Sequence, residues 1–339
     1  MKRLLRILCA GTALLAFTAG AQEYTWRFAL EEVDGSVQDA YAEQFKKLME
    51  EKTDGAVSVE IYPYGSLGTS DQLTELVQNG SIQFSFASPG HLATLVPEVG
   101  VFTLHFVFSD NNEVNREVLR DTEAMPMLEE AYREKDLALL GIIPEGWMTW
   151  TANKPLKTVD DFDGLKIRTM TSPLLVKSYE AYGANPTPMP YSEVYSGLQL
   201  GIIDAQVNPI FAIEEMSFYE VQEAMTQAKH AQFISTVVTN PGFYEDLPED
   251  IRAAVDEATA ELHDYIFTKQ AEYNAERLED IRSNSDIEIL EITDEAREAF
   301  REASMPVRDV YIEQAGERGE KILNTILEDV KNAESEMEG

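Results

Sequence analysis

The sequence predicts an α/β protein of two domains that close on a hinged cleft. Three observations carry that prediction. Strand and helix patterns alternate β-α-β-α-β over residues 25–86, an order that implies parallel strands and right-handed crossovers. A strand, a capping residue, a proline and a helix follow one another twice, near Ser172-Pro173 and near Asn208-Pro209. A long amphipathic pattern runs from Pro248 to about Ser283, and no low-complexity linker separates the halves. Domains joined by ordered crossings suit hinge closure.

Thr25 to Leu30 reads as the first strand, ending at Glu31-Glu32. A turn at Asp34-Gly35 leads into a helix from about Ser36 to Glu51, whose Val37, Ala40, Tyr41, Gln44, Phe45 and Leu48 keep the 3.6-residue period. Val57 to Tyr62 alternates as a second strand, Asp71 to Gln78 is helical, and Ile82 to Phe86 is a third strand. The ends of these strands, Glu32, Gly65 to Ser70 and Ser88 to His91, then share one edge of a sheet. Leu137 to Ile143 is a buried strand, and Glu145-Gly146-Trp147 marks a crossing into the second domain. Leu165 and Ile167 alternate with polar neighbours in a short strand that ends at Arg168. Ser172 suits an N-cap and Pro173 the first helical position. Pro186, Pro188 and Pro190 impose an extended approach to Tyr191, Ser192 is expected to cap a helix through Leu200, and Ile202 to Val207 is a strand whose Asn208 is expected to cap the next helix. His230 to Val238 and Ile287 to Leu290 read as strands, and two acidic helices close the chain. The expected division is residues 22–145 plus about 237–290 in domain I and 146–236 in domain II. The helices of 291–339 pack on the domains.

Lys2, Arg3 and Arg6 precede an apolar run from Ile7 to Phe17 and a small-residue site at Ala19-Gly20-Ala21. That is the pattern of a signal peptide over 1–21, too short for a span of roughly 20 residues, so a periplasmic location is expected. The only cysteine, Cys9, lies inside it. The mature chain therefore has no disulfide and no thiol catalyst. A formal charge of −34 argues against nucleic acid and anionic membranes as partners. A ligand anion must meet a local positive site against that field.

No nucleophile elbow, zinc-binding helix or phosphate loop is present, and His91, His105, His230 and His263 lack metal spacing. His105, His230 and His263 read as packed or surface histidines. His91 lies on the shared sheet edge and stays a candidate. Arg168 ends its strand at a strand-to-helix crossover, where ligands bind in open α/β sheets. Its guanidinium suits a carboxylate or sulfonate.

Gly-Leu-Lys-Ile-Arg (164–168), Gly-Ala-Asn-Pro-Thr-Pro-Met-Pro-Tyr-Ser-Glu-Val-Tyr (183–195), Gly-Ile-Ile-Asp-Ala-Gln-Val-Asn-Pro (201–209) and Phe-Tyr-Glu-Val (218–221) resemble the DctP family. These are the extracytoplasmic substrate-binding subunits of tripartite ATP-independent periplasmic (TRAP) transporters. Tyr62-Pro63-Tyr64-Gly65-Ser66-Leu67-Gly68 and Leu247-Pro248-Glu249 fit as well. The first strand, Glu31-Glu32 and Arg168-Thr169-Met170-Thr171 look like the ectoine-binding branch. The resemblance implies two α/β domains, a long helix across both, no cofactor, and the small and large TRAP permease proteins as partners of a monomeric receptor. It implies that Arg168 pairs with a ligand carboxylate, that Asn208 and Tyr191 contact the ligand, that Glu32 meets a cationic part and that Phe233 packs on it. Ser88, His91, Trp147 and Thr171 complete the expected site. His91 stands where the branch has an aromatic, Tyr191 where it has a tryptophan, and Val207 where a glutamate is frequent. The second arginine of the sialic-acid type falls near Met148, so a large sugar acid is not expected.

These departures favour a small hydroxylated anion, a carboxylate or a sulfonate such as isethionate. Ectoine or 5-hydroxyectoine is the alternative. A sensory protein that presents its ligand to a receptor kinase would have the same cleft. An exported enzyme would need a nucleophile, metal or cofactor that the sequence does not offer.

Overall fold

The computed structural model describes residues 23–338; the signal-peptide segment and Cys9 lie outside them. The elements in chain order are β1 (Tyr24–Ala29), α1 (Val37–Lys52), β2 (Val57–Tyr62), α2 (Ser70–Gln78), β3 (Phe84–Ala87), α3 (Pro89–Leu92), α4 (Asn112–Asp121), α5 (Met125–Arg133), β4 (Ala138–Ala152), β5 (Lys166–Thr169), α6 (Pro173–Glu180) and β6 (Asn185–Pro188). Then follow α7 (Val194–Gln199), β7 (Ala205–Pro209), α8 (Ile210–Glu215), β8 (Ala224–Thr239), α9 (Pro241–Glu245), α10 (Glu249–Asn284), β9 (Glu288–Glu291), α11 (Asp294–Ser304) and α12 (Pro306–Glu338). α12 is broken at Gly316, whose φ of 66° is left-handed.

The described strands form one sheet in the order β2-β1-β3-β8-β4-β7-β5-β6, with β9 beside β8. β1 runs parallel to β2 and β3, and β5 parallel to β6 and β7. The antiparallel pair β4 and β8 joins these two parallel groups. The strand expected at 137–143 therefore continues to Ala152 as one element, β4, and the expected crossing at Glu145-Gly146-Trp147 is a kink within it. Pro144 has no N–H to donate, and the ladder slips between Pro144 and Gly146 and again between Trp147 and Thr149. A Cβ at Gly146 (φ 127°) would meet Asn274 of α10 at 2.5 Å. Asn274 Nδ2 donates to the Glu145 carbonyl at 2.8 Å, so the long helix is pinned to the kink.

α10 spans the region of Pro248 to Ser283 read from the sequence. Its Ile251, Val255, Leu262 and Ile266 pack with Phe28, Tyr41, Phe45 and Phe86 in one core. Its Ile281 packs with Val194, Leu198, Ile203 and Met225 in another. The hydrophobic period of a single helix thus reaches the core on each side of the kink. Ser172 caps α6 as expected, its Oγ accepting from the Leu175 N–H. Two expected caps are displaced. Asn208 stays in the ladder opposite Thr149, and Pro209 is the N-cap of α8. Ser192 falls in a 3-10 turn, and α7 starts after Glu193.

Candidate functional site

The sheet edge that carries the ends of β1, β3, β5 and β7 opens on a cavity. Glu31, Glu32, Gln38, Ser70, Ser88 and His91 line it from the N-terminal side of the kink, and Arg168, Met170, Tyr191, Asn208 and Ala212 from the other side; Phe233 of β8 completes the wall. Seven of the nine expected site residues therefore converge: Glu32, Ser88, His91, Arg168, Tyr191, Asn208 and Phe233. Thr171 is exposed beside the cavity and meets His91 Nδ1 through its hydroxyl at 3.1 Å. Trp147 does not belong to this wall. Its indole N–H donates to Asn112 Oδ1 at 3.0 Å, and its ring packs against another core. The kink at Gly146 and strand alternation turn Trp147 to the opposite face from Met148, which lines a deeper chamber.

Arg168 is 2% exposed. Its Nε and Nη2 both donate to the Met189 carbonyl, at 3.1 and 3.0 Å. That bond locks the guanidinium at the strand end and leaves three of its five N–H donors. Burial pushes its pKa down to about 10, opposed by Tyr191 and Tyr64, so it is cationic at neutral pH. Among the described residues no carboxylate forms an ion pair with it, which sets aside the pairing with Asp161 or Asp163 that a strand-end arginine also allows. Asn208 Nδ2 donates to Gln206 Oε1 at 2.5 Å. The Tyr191 ring stands edge-on to Tyr64 and Phe218.

Glu31 and Glu32 line the same cavity as Arg168, and Glu145 and Glu215 lie outside its lining. Glu31 Oε2 accepts from the Ser88 N–H at 2.7 Å and from its hydroxyl at 2.5 Å. Glu32 Oε2 accepts from the Gln38 N–H at 3.3 Å. Gln38 Nε2 donates to Glu145 Oε1 at 3.2 Å and to Ser235 Oγ at 3.1 Å. Burial and the neighbouring Glu145 hold the Glu32 carboxyl well above the usual range. Burial raises Glu145 too and pushes Glu215 up to about 8. Burial lowers His91, which favours a neutral imidazole. Sequence reasoning passed over Glu145, Glu215 and Gln38, and it placed Ser70 on the shared edge and Met170 beside Arg168 without naming either as a site residue. Glu31-Glu32 was the one visible signal, and in so acidic a chain such pairs are frequent by chance.

A second chamber shares Arg168, Met170 and Phe233 with the first and continues to His105 and His230. Both histidines are packed, as read from the sequence. His105 Nδ1 meets Tyr182 OH at 2.6 Å, and burial pushes its pKa down to about 3. His230 stacks on Trp150 at 4.2 Å. Among the described residues no cluster has metal-binding composition, and no helix is long and apolar enough to cross a membrane.

A two-lobed sheet with a fixed cation and buried acids around one cleft is the architecture of a solute-binding receptor. Residues 28–314 match the DctP model, described as bacterial extracellular solute-binding protein, family 7. The chain belongs to that family, the substrate-binding subunits of TRAP transporters, and it is a receptor rather than an enzyme. It is 38% identical over 339 residues to the ectoine-binding periplasmic protein TeaA of Halomonas elongata, covering 99% of each chain. It is 36% identical to the ectoine/5-hydroxyectoine-binding periplasmic protein UehA of Ruegeria pomeroyi, covering 96% of this chain and 95% of that one. Among solved structures, a TRAP periplasmic solute-binding protein of Marinobacter aquaeolei in an apo open form is 47% identical with a TM-score of 0.86, covering 89% of this chain and 99% of that one. The Halomonas elongata ectoine-binding protein superposes with a TM-score of 0.88 at 38% identity, covering 91% and 99%.

Proposed function

We propose that this receptor binds a small zwitterion, a carboxylate joined to a delocalised cation as in ectoine or 5-hydroxyectoine, in the periplasm and passes it to its TRAP permease. The observation that carries the reading is the charge layout of the cavity: Arg168 on one wall and Glu31 and Glu32 on the other. An anion with no cationic part would satisfy Arg168 and leave the acids facing it unpaired. Taking up a buried charge without a partner is costly, so isethionate and simple carboxylates are the weaker reading. Arg168 takes the carboxylate through its remaining donors. Glu32 takes the cation, Asn208, Ser88 and the His91–Thr171 pair hold polar edges, and Tyr191 and Phe233 pack on the ring. Relatives named for ectoine support the same class.

The domains of this reading are residues 22–145 with about 237–290, and 146–236. The helices of 291–339 pack on them in a monomer, and closure hinges at the kinks of β4 and its partner β8. Calorimetry of the mature protein with ectoine, 5-hydroxyectoine, isethionate and succinate tests the assignment. Tight binding of the ectoines alone is the expected result. Tight binding of isethionate with none of the ectoines would overturn it.

A further inference from the structure

Three residues line both the ligand cavity and the second chamber: Arg168, Met170 and Phe233. They form the wall between the two spaces. Arg168 is held by the Met189 carbonyl, and Phe233 sits in the β8 ladder opposite Gly146. Met170 follows β5 and lies outside every strand and helix. Its unbranched thioether is the adaptable part of the wall. The tip of that side chain is seated against Gly90 of α3, which belongs to the opposite side of the cleft. A Cβ at Gly90 would collide with the Met170 methyl and lie 2.5 Å from its sulfur, with Leu175 of α6 next at 3.4 Å. The Gly90 φ is not positive, so its backbone admits other residues, and glycine weakens a helix. What excludes a side chain at this position is the methionine. The next pair along, His91 and Thr171, is joined at 3.1 Å, so consecutive residues from the two sides meet in register. Behind this contact, Phe102, Met148, Leu175, Val207 and Ile234 give the chamber an apolar lining.

We propose that Met170 is a specificity-determining residue: seated on Gly90, it closes the ligand cavity off from the second chamber and restricts the receptor to a compact ligand. The chamber is then a latent subsite for an aliphatic branch, matched to its apolar lining. An unbranched thioether turns aside more readily than a hydrogen-bonded guanidinium or a phenyl ring carried by a strand, so Met170 sets whether a ligand reaches that space. The glycine is the other half of the device, because any side chain there would drive the methionine tip off its seat.

The inference rests on the zwitterion reading for its ligand class, and the experiment separates the two. Gly90→Ala is expected to weaken ectoine in calorimetry by about tenfold, as overpacking by one methyl does. Its ligand-free melting temperature should stay level or rise, because alanine favours the helix. A clear fall in that temperature would mean that Gly90 serves the fold, against the proposal. Once Met170→Ala is in place, adding Gly90→Ala should cost less than about twofold more. Losses that simply multiply would overturn the seat. Two ectoine analogues test the chamber, one with the ring methyl lengthened to propyl and one with propyl on the ring carbon beside the carboxylate. Met170→Ala is expected to bind at least one of them about tenfold more tightly than wild type does. No gain for either would overturn the subsite. In spectra of methyl-labelled methionine, the Met170 resonance, identified by its loss in Met170→Ala, is expected to move in Gly90→Ala. A resonance unmoved both with and without ectoine would overturn the proposal. Should wild type bind no ectoine at all, the zwitterion reading fails while the ligand-free spectra still decide the seat of Met170.

Discussion

The two walls of the cleft are built in opposite ways. On one, a single cation is held by a backbone carbonyl at the end of a four-residue strand. The Arg168 backbone is set by β5 and its guanidinium by two bonds to the Met189 carbonyl. On the other, acids from separate segments are held by neutral partners: Glu31 by Ser88, and Glu32 and Glu145 both by Gln38. The first wall is rigid and carries one fixed charge. The second is a hydrogen-bonded network that joins residues far apart in the chain. One local backbone contact is thus enough to fix a cation, whereas an acidic wall has to be assembled from distant segments.

The comparison breaks most sharply at Arg168. Arg168→Ala should lower affinity for any carboxylate ligand by more than about a hundredfold, since charge-assisted bonds contribute roughly 1.5–3 kcal/mol each. Arg168→Lys keeps the charge but loses the planar fork, and should recover only part. Calorimetry checks both, and near-normal binding by the alanine variant would show that the rigid wall is not the anion site. Glu32→Gln tests the opposite wall. It should weaken a zwitterion by about ten- to a hundredfold while leaving or improving isethionate. If both ligands weaken alike, the second wall does not select the cation.

Glu215 gives a smaller effect, read as stability. Its folded pKa, about 8, lies above the ordinary 4.5, so the native state holds a proton that the unfolded chain releases. Its contribution is complete below the unfolded value and is lost as pH rises towards 8. The buried neutral His105, with a folded value of about 3 against 6.5, acts with the opposite sign, but only below about pH 6.5. From about pH 6.5 to 8 the ligand-free melting temperature should therefore fall by a few degrees, and Glu215→Gln should flatten that fall. A wild-type profile that rises over this window would mean that Glu215 is ionised in the fold. The smallest effect is expected at the rim. Thr171→Val removes the partner of His91 Nδ1 and should change affinity by only about threefold, because the bond is exposed.

Much of the fold was legible because its signals are local. The β-α-β-α-β order, the capped helix after Arg168 and the long α10 each follow from periods and caps within a few turns. Arg168 itself was legible for the same reason: a strand end, a cap and a proline lie within six residues. The caps at Asn208 and Ser192 failed where a ladder bond or a 3-10 turn took precedence over local preference. Trp147 was misplaced because a bulge at Gly146 reverses strand faces, and a bulge depends on what α10 presents across the sheet.

What the sequence determined by itself is therefore the α/β class, the receptor family and the placing of Arg168 at a strand end. Only the tertiary structure decided that Glu145, which lies 113 positions from Glu32 in the chain, is buried against the same residue, Gln38, whose N–H donates to Glu32 and whose Nε2 donates to Glu145. Periodicity and capping act over a few residues, whereas a carboxyl's protonation depends on burial and on charges brought together from distant segments.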